Sequence, residues 1–267
     1  MAREADAASF RTSADAYDRH VGRYGRSLAR GLIETAGLPG DARVLDVGCG
    51  PGALTMALAE VVGPARVAAV EPSEPFAAAC RARVPGADVR VATAERIPFD
   101  DDSFDATLSQ LVVNFLPDAA AGAAEMRRVT RPGGTVCACV WDYADGMTLL
   151  RAFWDAAVAL DPERAAPLDE GRRMPHCRPG ELERLWVEAG LLEVTVGPVV
   201  AVAAYDGFED LWEPLPLGVG PSGAYCAALS EAGRDALREE LRRRLGSPAG
   251  PFELSARAWA VRGTVPG

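Results

Sequence analysis

The order of apolar and polar positions predicts strands and helices in alternation from residue 43 to residue 141. "RVLDV" (43–47) is a short apolar run that breaks into glycine, and "ALTMALAEVV" (53–62) carries apolar residues at helical spacing. The same succession recurs along this part of the chain. The predicted strands are 43–47, 66–71, 88–93, 104–113 and 135–141, and the helices between them are 53–62, 73–84 and 119–130. Such alternation is typical of a doubly wound parallel sheet, whose ligands bind at the carboxyl ends of the strands.

The flanking segments complete the predicted fold. Residues 9–37 read as helix, with two further helices at 148–160 and 179–190, and both 191–205 and 251–263 alternate like paired antiparallel strands. We therefore predict an α/β fold with a doubly wound, seven-stranded, mostly parallel sheet and an antiparallel last strand. The predicted organisation is a single domain over residues 1–267, with an N-terminal helical lid (1–40), a core (41–205 and 251–263) and a cap insertion (206–250).

Composition excludes several classes of function. The 267 residues include 28 basic residues, all of them arginine. Without lysine the chain cannot form a pyridoxal Schiff base, a lysine-containing P-loop or the β3 lysine of a kinase. A net charge of −10 opposes binding to nucleic acid, whose phosphates need a basic surface. The expected partner is therefore a small molecule.

The six cysteines are typical of buried thiols in a reducing compartment. They form no C-x-x-C motif, and the chain has only two histidines, so a zinc cluster is not expected. We find neither a signal-peptide pattern nor an apolar run long enough to cross a membrane. The sequence thus predicts a cytoplasmic protein without a membrane partner.

A glycine-rich turn follows the first predicted strand. "LDVGCGPG" (45–52) places three glycines directly before a helix, where the backbone can approach a ligand closely. Glu71 ends the next strand, where a carboxylate can bind both hydroxyls of a ribose. A nicotinamide-dinucleotide enzyme is the competing interpretation, but its G-x-G-x-x-G fingerprint would need glycine where this chain has Ala53, and Asp46 would repel a pyrophosphate.

Four motifs in order identify a family resemblance over residues 15–140. They are "LDVGCGPG" (45–52), "VEPS" (70–73), "TAERIPFDDDSFD" (93–105) and "MRRVTRPGG" (126–134). In these the chain resembles the class I S-adenosylmethionine-dependent methyltransferases, in particular the small-molecule group similar to the ubiquinone-biosynthesis methyltransferases. The resemblance implies S-adenosylmethionine as the cofactor and S-adenosylhomocysteine as its product.

The resemblance also assigns roles to residues. It implies that the glycine loop passes under the methionine part, that Asp46 orders the loop or approaches the amino group, and that Glu71 holds the ribose. Many relatives have aspartate where this chain has Thr93, so the contact with the adenine amino group is open and the backbone at Ala94 is the alternative. The cofactor-binding residues expected are Asp46, Gly48, Cys49, Gly50, Glu71, Pro72, Thr93, Ala94, Glu95, Gln110 and Leu111, together with Tyr17, Arg23 and Tyr24 of the lid.

Gln110 and Asn114 are the only glutamine and the only asparagine of the chain, and both lie at the end of the fourth predicted strand. Relatives often carry histidine at the positions of Asn114 and Phe115. A carboxamide does not titrate near neutral pH, so Asn114 would orient an acceptor rather than deprotonate it, and Gln110 would contact the amino-acid end of the cofactor. The alternative is that both amides cap the strand end and the following helix.

The candidate general bases are His20 and His176, the only side chains with an ordinary pKa near neutrality. The alternative for each is a solvated histidine without a catalytic role. The candidate catalytic residues are thus Asn114, His176 and His20. The function expected is metal-independent methyl transfer to a small organic acceptor by in-line displacement. Methylation of tRNA or protein, and non-catalytic binding of S-adenosylmethionine, are the alternatives.

Overall fold

The computed structural model describes residues 19–267, and within them the chain forms a seven-stranded sheet in the order β3-β2-β1-β4-β5-β7-β6. Tyr17 lies outside the described residues. The strands are β1 (Val44–Val47), β2 (Val67–Val70), β3 (Asp88–Arg90), β4 (Phe104–Gln110), β5 (Thr130–Trp141), β6 (Leu192–Tyr205) and β7 (Phe252–Thr264).

Helices connect most of these strands. A 3₁₀ turn (Val21–Tyr24) precedes the first described helix, and a second such turn (Val113–Phe115) follows β4. The helices are α1 (Gly25–Ala36), α2 (Ala53–Val62), α3 (Glu74–Arg83), α4 (Ala119–Val129), α5 (Thr148–Leu160), α6 (Pro162–Ala165), α7 (Glu170–Arg173), α8 (Pro179–Glu188), α9 (Phe208–Trp212), α10 (Gly220–Ala227) and α11 (Glu231–Arg244).

Strand pairing confirms the predicted fold class. β1 lies between β2 and β4 and is parallel to both, with Val44 opposite Val67 on one side and Ala106 on the other. The chain therefore runs outward from β1 to β3 and then returns to β4, so the strand order reverses between β1 and β4. In open α/β sheets this switch point is where ligands bind. β7 is antiparallel to β5, since the amide of Gly133 donates to Val265 and the amide of Val265 donates to Gly134.

Three strand boundaries differ from the sequence prediction by more than one residue. β3 ends at Arg90 instead of residue 93, and β5 begins at Thr130 instead of residue 135. β4 ends at Gln110 instead of residue 113, because Leu111 has a φ of +62° and cannot continue an extended strand. The apolar run "LVV" thus suggested strand where the chain turns away from the sheet.

The described chain divides into two compact units. The larger unit contains residues 25–140, 175–199 and 258–267, and β1 and β2 are buried along their whole length within it. The smaller unit contains residues 19–24, 141–174 and 200–257, where Trp154, Phe153 and Tyr225 pack edge to face or tilted against each other. The single-domain organisation stays a prediction. Within the described residues, no helix combines the length and apolar character that a membrane span needs.

Candidate functional site

The backbone of the glycine turn after β1 leaves no room for a side chain at Gly48. The amides of Gly48 and Cys49 both donate to the carbonyl of Val70 at the end of β2, at 2.8 and 3.1 Å. Gly48 has a φ of +74°, and a Cβ atom built on it would lie 2.5 Å from a methyl carbon of Val112. Both the dihedral angle and the close approach therefore require glycine here. The thiol of Cys49 belongs to a buried cluster with Cys80 rather than to the exposed side of the turn.

Glu71 connects this turn to the end of β2. Its side chain is almost fully buried, and each carboxylate oxygen accepts one backbone amide, from Gly50 at 3.0 Å and from Ser73 at 2.9 Å. Burial raises the pKa of Glu71, and the two amide hydrogen bonds oppose that rise. Each oxygen keeps further acceptor capacity. The carboxylate is thus fixed in orientation and still able to accept hydroxyl groups.

Asp46 is fully buried at the end of β1. Its Oδ2 atom accepts a 2.6 Å hydrogen bond from the hydroxyl of Thr55 on α2, whereas no residue of the described chain donates to its Oδ1 atom. Burial raises the pKa of Asp46 to about 8. A buried acceptor without a donor is costly, so such an atom points to a donor other than the described residues.

A second buried acceptor lies at the end of the neighbouring strand. The Nε2 atom of Gln110 donates to the carbonyl of Gly25 at 3.2 Å, but its buried Oε1 atom has no hydrogen-bond partner among residues 19–267. Asp46 is paired in register with Leu108, two residues before Gln110, on adjacent parallel strands. The Asp46 Oδ1 and Gln110 Oε1 atoms thus lie at the carboxyl ends of two adjacent strands. Both require a hydrogen-bond donor, and the ammonium group of an amino-acid ligand would be such a donor.

The segment after Gln110 places backbone beside the glycine turn. The amide of Leu111 donates to the carbonyl of Cys139 on β5 at 2.8 Å, in spite of the positive φ of Leu111, and Val112 packs on Gly48. Asn114 follows in the 3₁₀ turn and is 1% exposed. A non-glycine residue with positive φ is strained, and such strain is concentrated at functional sites.

The residues expected at the adenine ring are partly exposed and partly buried. Pro72 and Thr93 are exposed, and Ala94 is buried. The Oε1 atom of Glu95 is buried, with no hydrogen-bond partner in the described part of the chain. These residues belong to the larger unit, as do Asp46, Glu71 and Gln110. The structure therefore brings the predicted core of the cofactor site into one unit.

Two of the lid residues are engaged within the smaller unit. Arg23 forms an ion pair with both carboxylate oxygens of Asp210 and lies over the ring of Tyr205 at 4.8 Å. Tyr24 is fully buried, its hydroxyl is 3.2 Å from that of Tyr205, and its ring meets Trp141 edge to face. A cofactor-binding role for Arg23 and Tyr24 stays a prediction.

The two histidines lie in different units. His20, in the smaller unit, is 2% exposed, and burial together with the positive charge of Arg23 lowers its pKa to about 4. No described residue forms a hydrogen bond with its Nε2 atom. His176, in the larger unit, is half-buried and has a φ of +60°. Their catalytic roles, like that of Asn114, stay predictions.

Sequence reasoning missed the residues that support the site. Thr55 and Val112 lie inside ordinary helical and apolar patterns, so neither carries a signal of its contact with Asp46 or Gly48. Glu125 and Arg128 on α4 are spaced like a surface ion pair, but both also bind backbone atoms of the segment after Glu95. The pair could be found from the sequence, whereas its attachment to that segment could not.

The comparisons with known proteins agree with this site. The family model described as "Methyltransferase domain" matches residues 45–138, which include the glycine turn, Glu71 and Gln110. An uncharacterized methyltransferase of Schizosaccharomyces pombe is 33% identical over 106 residues, which are 36% of this chain and 38% of that protein. The chain therefore spans well under half the length of that relative.

A fuller match comes from a bacterial enzyme. A demethylmenaquinone methyltransferase of Roseiflexus castenholzii is 31% identical over 206 residues, which are 70% of this chain and 84% of that enzyme. A crystal structure of an S-adenosylmethionine-dependent methyltransferase from Thermotoga maritima has the same fold, with a TM-score of 0.52, 21% identity and 94% of each chain covered. The glycine turn, the buried carboxylates and these likenesses together lead to one conclusion: the chain belongs to the class I S-adenosylmethionine-dependent methyltransferases.

Proposed function

We propose that the protein binds S-adenosylmethionine at the switch point of the larger unit and transfers its methyl group to a small organic acceptor. The proposal is carried by two buried acceptor atoms, Asp46 Oδ1 and Gln110 Oε1, for which residues 19–267 supply no donor. They belong to the same unit as a turn that needs glycine at position 48. These features match the α-ammonium group and the close backbone approach that the cofactor requires.

The seating of the cofactor follows from the same residues. Asp46 and Gln110 would receive the ammonium group, the backbone of Gly48 and Gly50 would pass under the amino-acid part, and Glu71 would accept the ribose hydroxyls. Pro72 and Ala94 would border the adenine ring, with Thr93 and Glu95 at its edge. Burial fixes Asp46 and Glu71 before binding, so little side-chain entropy is lost when the ligand arrives.

When bound, the cofactor would supply a methyl carbon activated by its sulfonium sulfur, with S-adenosylhomocysteine as the leaving group when an acceptor atom attacks that carbon in line with the carbon–sulfur bond. The work left to the protein is then mainly to hold the acceptor in that line. Asn114, buried after β4, would orient the acceptor. His20 is one candidate base, and its imidazole is neutral at pH 7 because its pKa is about 4. His176 is the alternative base, and no metal takes part in the proposed reaction.

The small-molecule acceptor is supported by charge and by one relative. The net charge of −10 opposes nucleic-acid substrates. The name of the Roseiflexus castenholzii enzyme gives demethylmenaquinone as its substrate. A compact organic acceptor is consequently favoured over tRNA or protein.

Calorimetry followed by an acceptor screen tests this function. We expect S-adenosylmethionine and S-adenosylhomocysteine to bind with one site per chain, and we expect a phenol, quinol or amine acceptor to cause release of S-adenosylhomocysteine. Turnover should persist in excess chelator and should fall in an Asn114→Ala variant. Absence of cofactor binding would refute the proposal. Binding without turnover across the screen would instead favour a non-catalytic cofactor-binding protein.

A further inference from the structure

We propose that Glu125 and Arg128 on α4 are positioning residues that hold the segment 94–101 as a preformed wall for the adenine ring. This inference rests on the proposed function, because it assumes that the segment borders the cofactor. The segment has no strand or helix of its own, so no ladder of backbone hydrogen bonds fixes it. Its order therefore depends on side-chain contacts, those of its own buried Ile97 and Phe99 and those made by other elements.

Arg128 is the main attachment. Its guanidinium donates to the carbonyl of Ile97 at 3.0 Å, to the carbonyl of Phe99 at 2.9 Å and to the carboxylate of Asp101 at 2.7 Å. Its remaining donors bind both oxygens of Glu125, at 2.6 and 2.9 Å. The planar guanidinium thus ties three alternate positions of the segment (97, 99 and 101) to one helix, which an ammonium group could not do with the same geometry.

Glu125 completes the attachment from the same helix. Its Oε2 atom accepts the backbone amide of Ile97 at 2.9 Å, so Ile97 is held at its amide by Glu125 and at its carbonyl by Arg128. The hydrogen bonds that Arg128 donates to Glu125 lower the pKa of Glu125, and those that it donates to Glu125 and Asp101 raise the pKa of Arg128. Both groups are therefore charged at neutral pH, and the hydrogen bonds between them are of the stronger, charge-assisted kind.

The same helix also lies near Ala94, the residue expected at the adenine ring. Gly122 lies one helical turn before Glu125, and a Cβ atom built on it would be 3.7 Å from the Cβ atom of Ala94 and 2.7 Å from a methyl carbon of Leu116. The absence of a side chain at Gly122 therefore leaves room for Leu116, whereas the distance to Ala94 is that of an ordinary van der Waals contact. The attachment of the segment to α4 comes from Glu125 and Arg128.

The opposite side of the segment is held by Arg90 of β3. Its guanidinium donates to the carbonyl of Pro98 at 2.7 Å and lies 3.9 Å from the centre of the Phe99 ring. The segment is consequently fixed between β3 and α4 before any ligand binds. Ordering a free loop on binding would weaken the affinity, so a preformed wall strengthens it. The expected function of the Glu125–Arg128 pair is therefore cofactor affinity and not the methyl-transfer step.

The test uses an Arg128→Gln variant, with Arg127→Gln as its matched control on the same helix. Arg127 is exposed and loses the same charge, without any bond to the segment. We expect Arg128→Gln to weaken binding of S-adenosylhomocysteine and of 5′-methylthioadenosine about tenfold, an order consistent with the loss of one charge-assisted attachment. Both ligands carry adenine, so the ratio of their affinities should stay unchanged. The KM for S-adenosylmethionine should rise while kcat stays, and Arg127→Gln should leave all these values as in the wild type.

Two further measurements keep the inference falsifiable. In Arg128→Gln, amide hydrogen exchange at residues 94–101 should become faster while β1 and β4 keep their protection, which separates local release from general unfolding. Arg128→Lys, which keeps the charge but not the fork, should weaken both ligands by an intermediate factor. Unchanged affinity in a folded Arg128→Gln protein would overturn the inference, as would a fall in kcat alone. Failure of the wild type to bind S-adenosylhomocysteine would instead refute the proposed function.

Discussion

Two buried aspartates, one in each unit, differ in how their carboxylates are satisfied. Asp169 of the smaller unit accepts two bonds from Arg151, at 3.0 and 2.9 Å, and a third from the amide of Gly171. Asp46 of the larger unit accepts a hydroxyl bond from Thr55 on one oxygen, and the described residues provide no donor for the other. The two carboxylates are equally buried, at 1% and 0% exposure.

The difference separates a structural carboxylate from one that awaits a ligand. A buried charge is tolerated when it is paired and hydrogen-bonded, as Asp169 is. Among the described residues Asp46 has no cationic partner and only the Thr55 hydrogen bond, and burial raises its pKa to about 8. Asp142 of the smaller unit follows the first pattern, because Arg257 donates to it from β7. The incomplete pattern of Asp46 and Gln110 is the observation on which the proposed cofactor site rests.

The largest expected effect comes from Gly48→Ala. The new Cβ atom would clash with Val112, and φ at this position is +74°, so the turn must change shape. We expect affinity for S-adenosylhomocysteine to fall by at least about a hundredfold, since strain of about 1–3 kcal/mol adds to the loss of the backbone approach. Isothermal titration calorimetry measures the loss.

Gly37→Ala is the matched control for this substitution. Its φ is +66°, but a Cβ atom there would meet no atom within 4 Å. The variant should lose about 1 kcal/mol of stability from the left-handed backbone alone and should bind the ligand like the wild type. Equal loss of binding in both variants would mean that Gly48 matters only for folding.

The second effect contrasts Asp46→Asn with Asp169→Asn. Asp46→Asn should weaken S-adenosylhomocysteine about 30-fold, from the loss of a charged hydrogen bond of about 2 kcal/mol, and should not lower the melting temperature. Asp169→Asn should lower the unfolding free energy by about 3 kcal/mol, because Arg151 would lose its buried partner, and should leave affinity unchanged. The comparison fails if Asp46→Asn destabilises the protein as strongly as Asp169→Asn.

The third effect is a pH dependence that Asp46 causes. The pKa of Asp46 is about 8 in the folded protein and about 3.9 in the unfolded chain. Between about pH 3.9 and about pH 8 the folded, ligand-free protein therefore holds a proton on Asp46 that the unfolded chain has lost. Its free energy of unfolding consequently decreases as the pH rises through this range. Glu71, whose pKa is also raised, adds a slope of the same sign, and Cys80 and Thr55 are the other polar neighbours of Asp46.

Ligand affinity should have the opposite trend. A cationic ammonium favours ionised Asp46, so affinity for S-adenosylhomocysteine should rise between pH 6 and 8, at most about tenfold per pH unit. Calorimetry at three pH values measures this rise. Asp46→Asn should flatten it. A slope that survives in Asp46→Asn would assign the titration to another group.

The smallest effect is expected for Gln110→Leu, which replaces the amide by a shorter apolar side chain. The variant removes one neutral acceptor and the bond from Nε2 to the carbonyl of Gly25. We expect affinity for S-adenosylhomocysteine to fall about three- to tenfold, because a neutral hydrogen bond contributes about 1 kcal/mol. If affinity does not fall, the Gln110 amide only caps the end of its strand and does not contact the cofactor.

Local patterns in the sequence were sufficient for the parallel part of the fold. Short apolar runs before glycine and helical spacing after it predicted β1 and α2, and the structure has both. The end of β4 was wrong because apolar residues do not reveal that Leu111 turns to a positive φ. The spacing of apolar residues predicts which of them are buried. The backbone dihedral angle of one residue depends instead on the atoms that pack around that residue.

The candidate site was predictable where a residue type is itself the signal. Gly48 and Glu71 belong to a motif, and their close approach and amide bonds follow from it. The Thr55 bond to Asp46 and the Arg128 attachment depend on contacts between distant segments, which the sequence does not display. The acceptor side depends on such contacts throughout, so Asn114, His20 and His176 stay predictions.

The most direct test of the central claim compares S-adenosylhomocysteine with its analogue that lacks the α-amino group. If Asp46 and Gln110 receive the ammonium group, the wild type should bind the deaminated analogue about 30-fold more weakly, by the same charged hydrogen bond of about 2 kcal/mol, and Asp46→Asn should largely abolish the difference. Equal affinity of the wild type for both ligands would contradict the account, since the two buried acceptors would then have no role in cofactor binding.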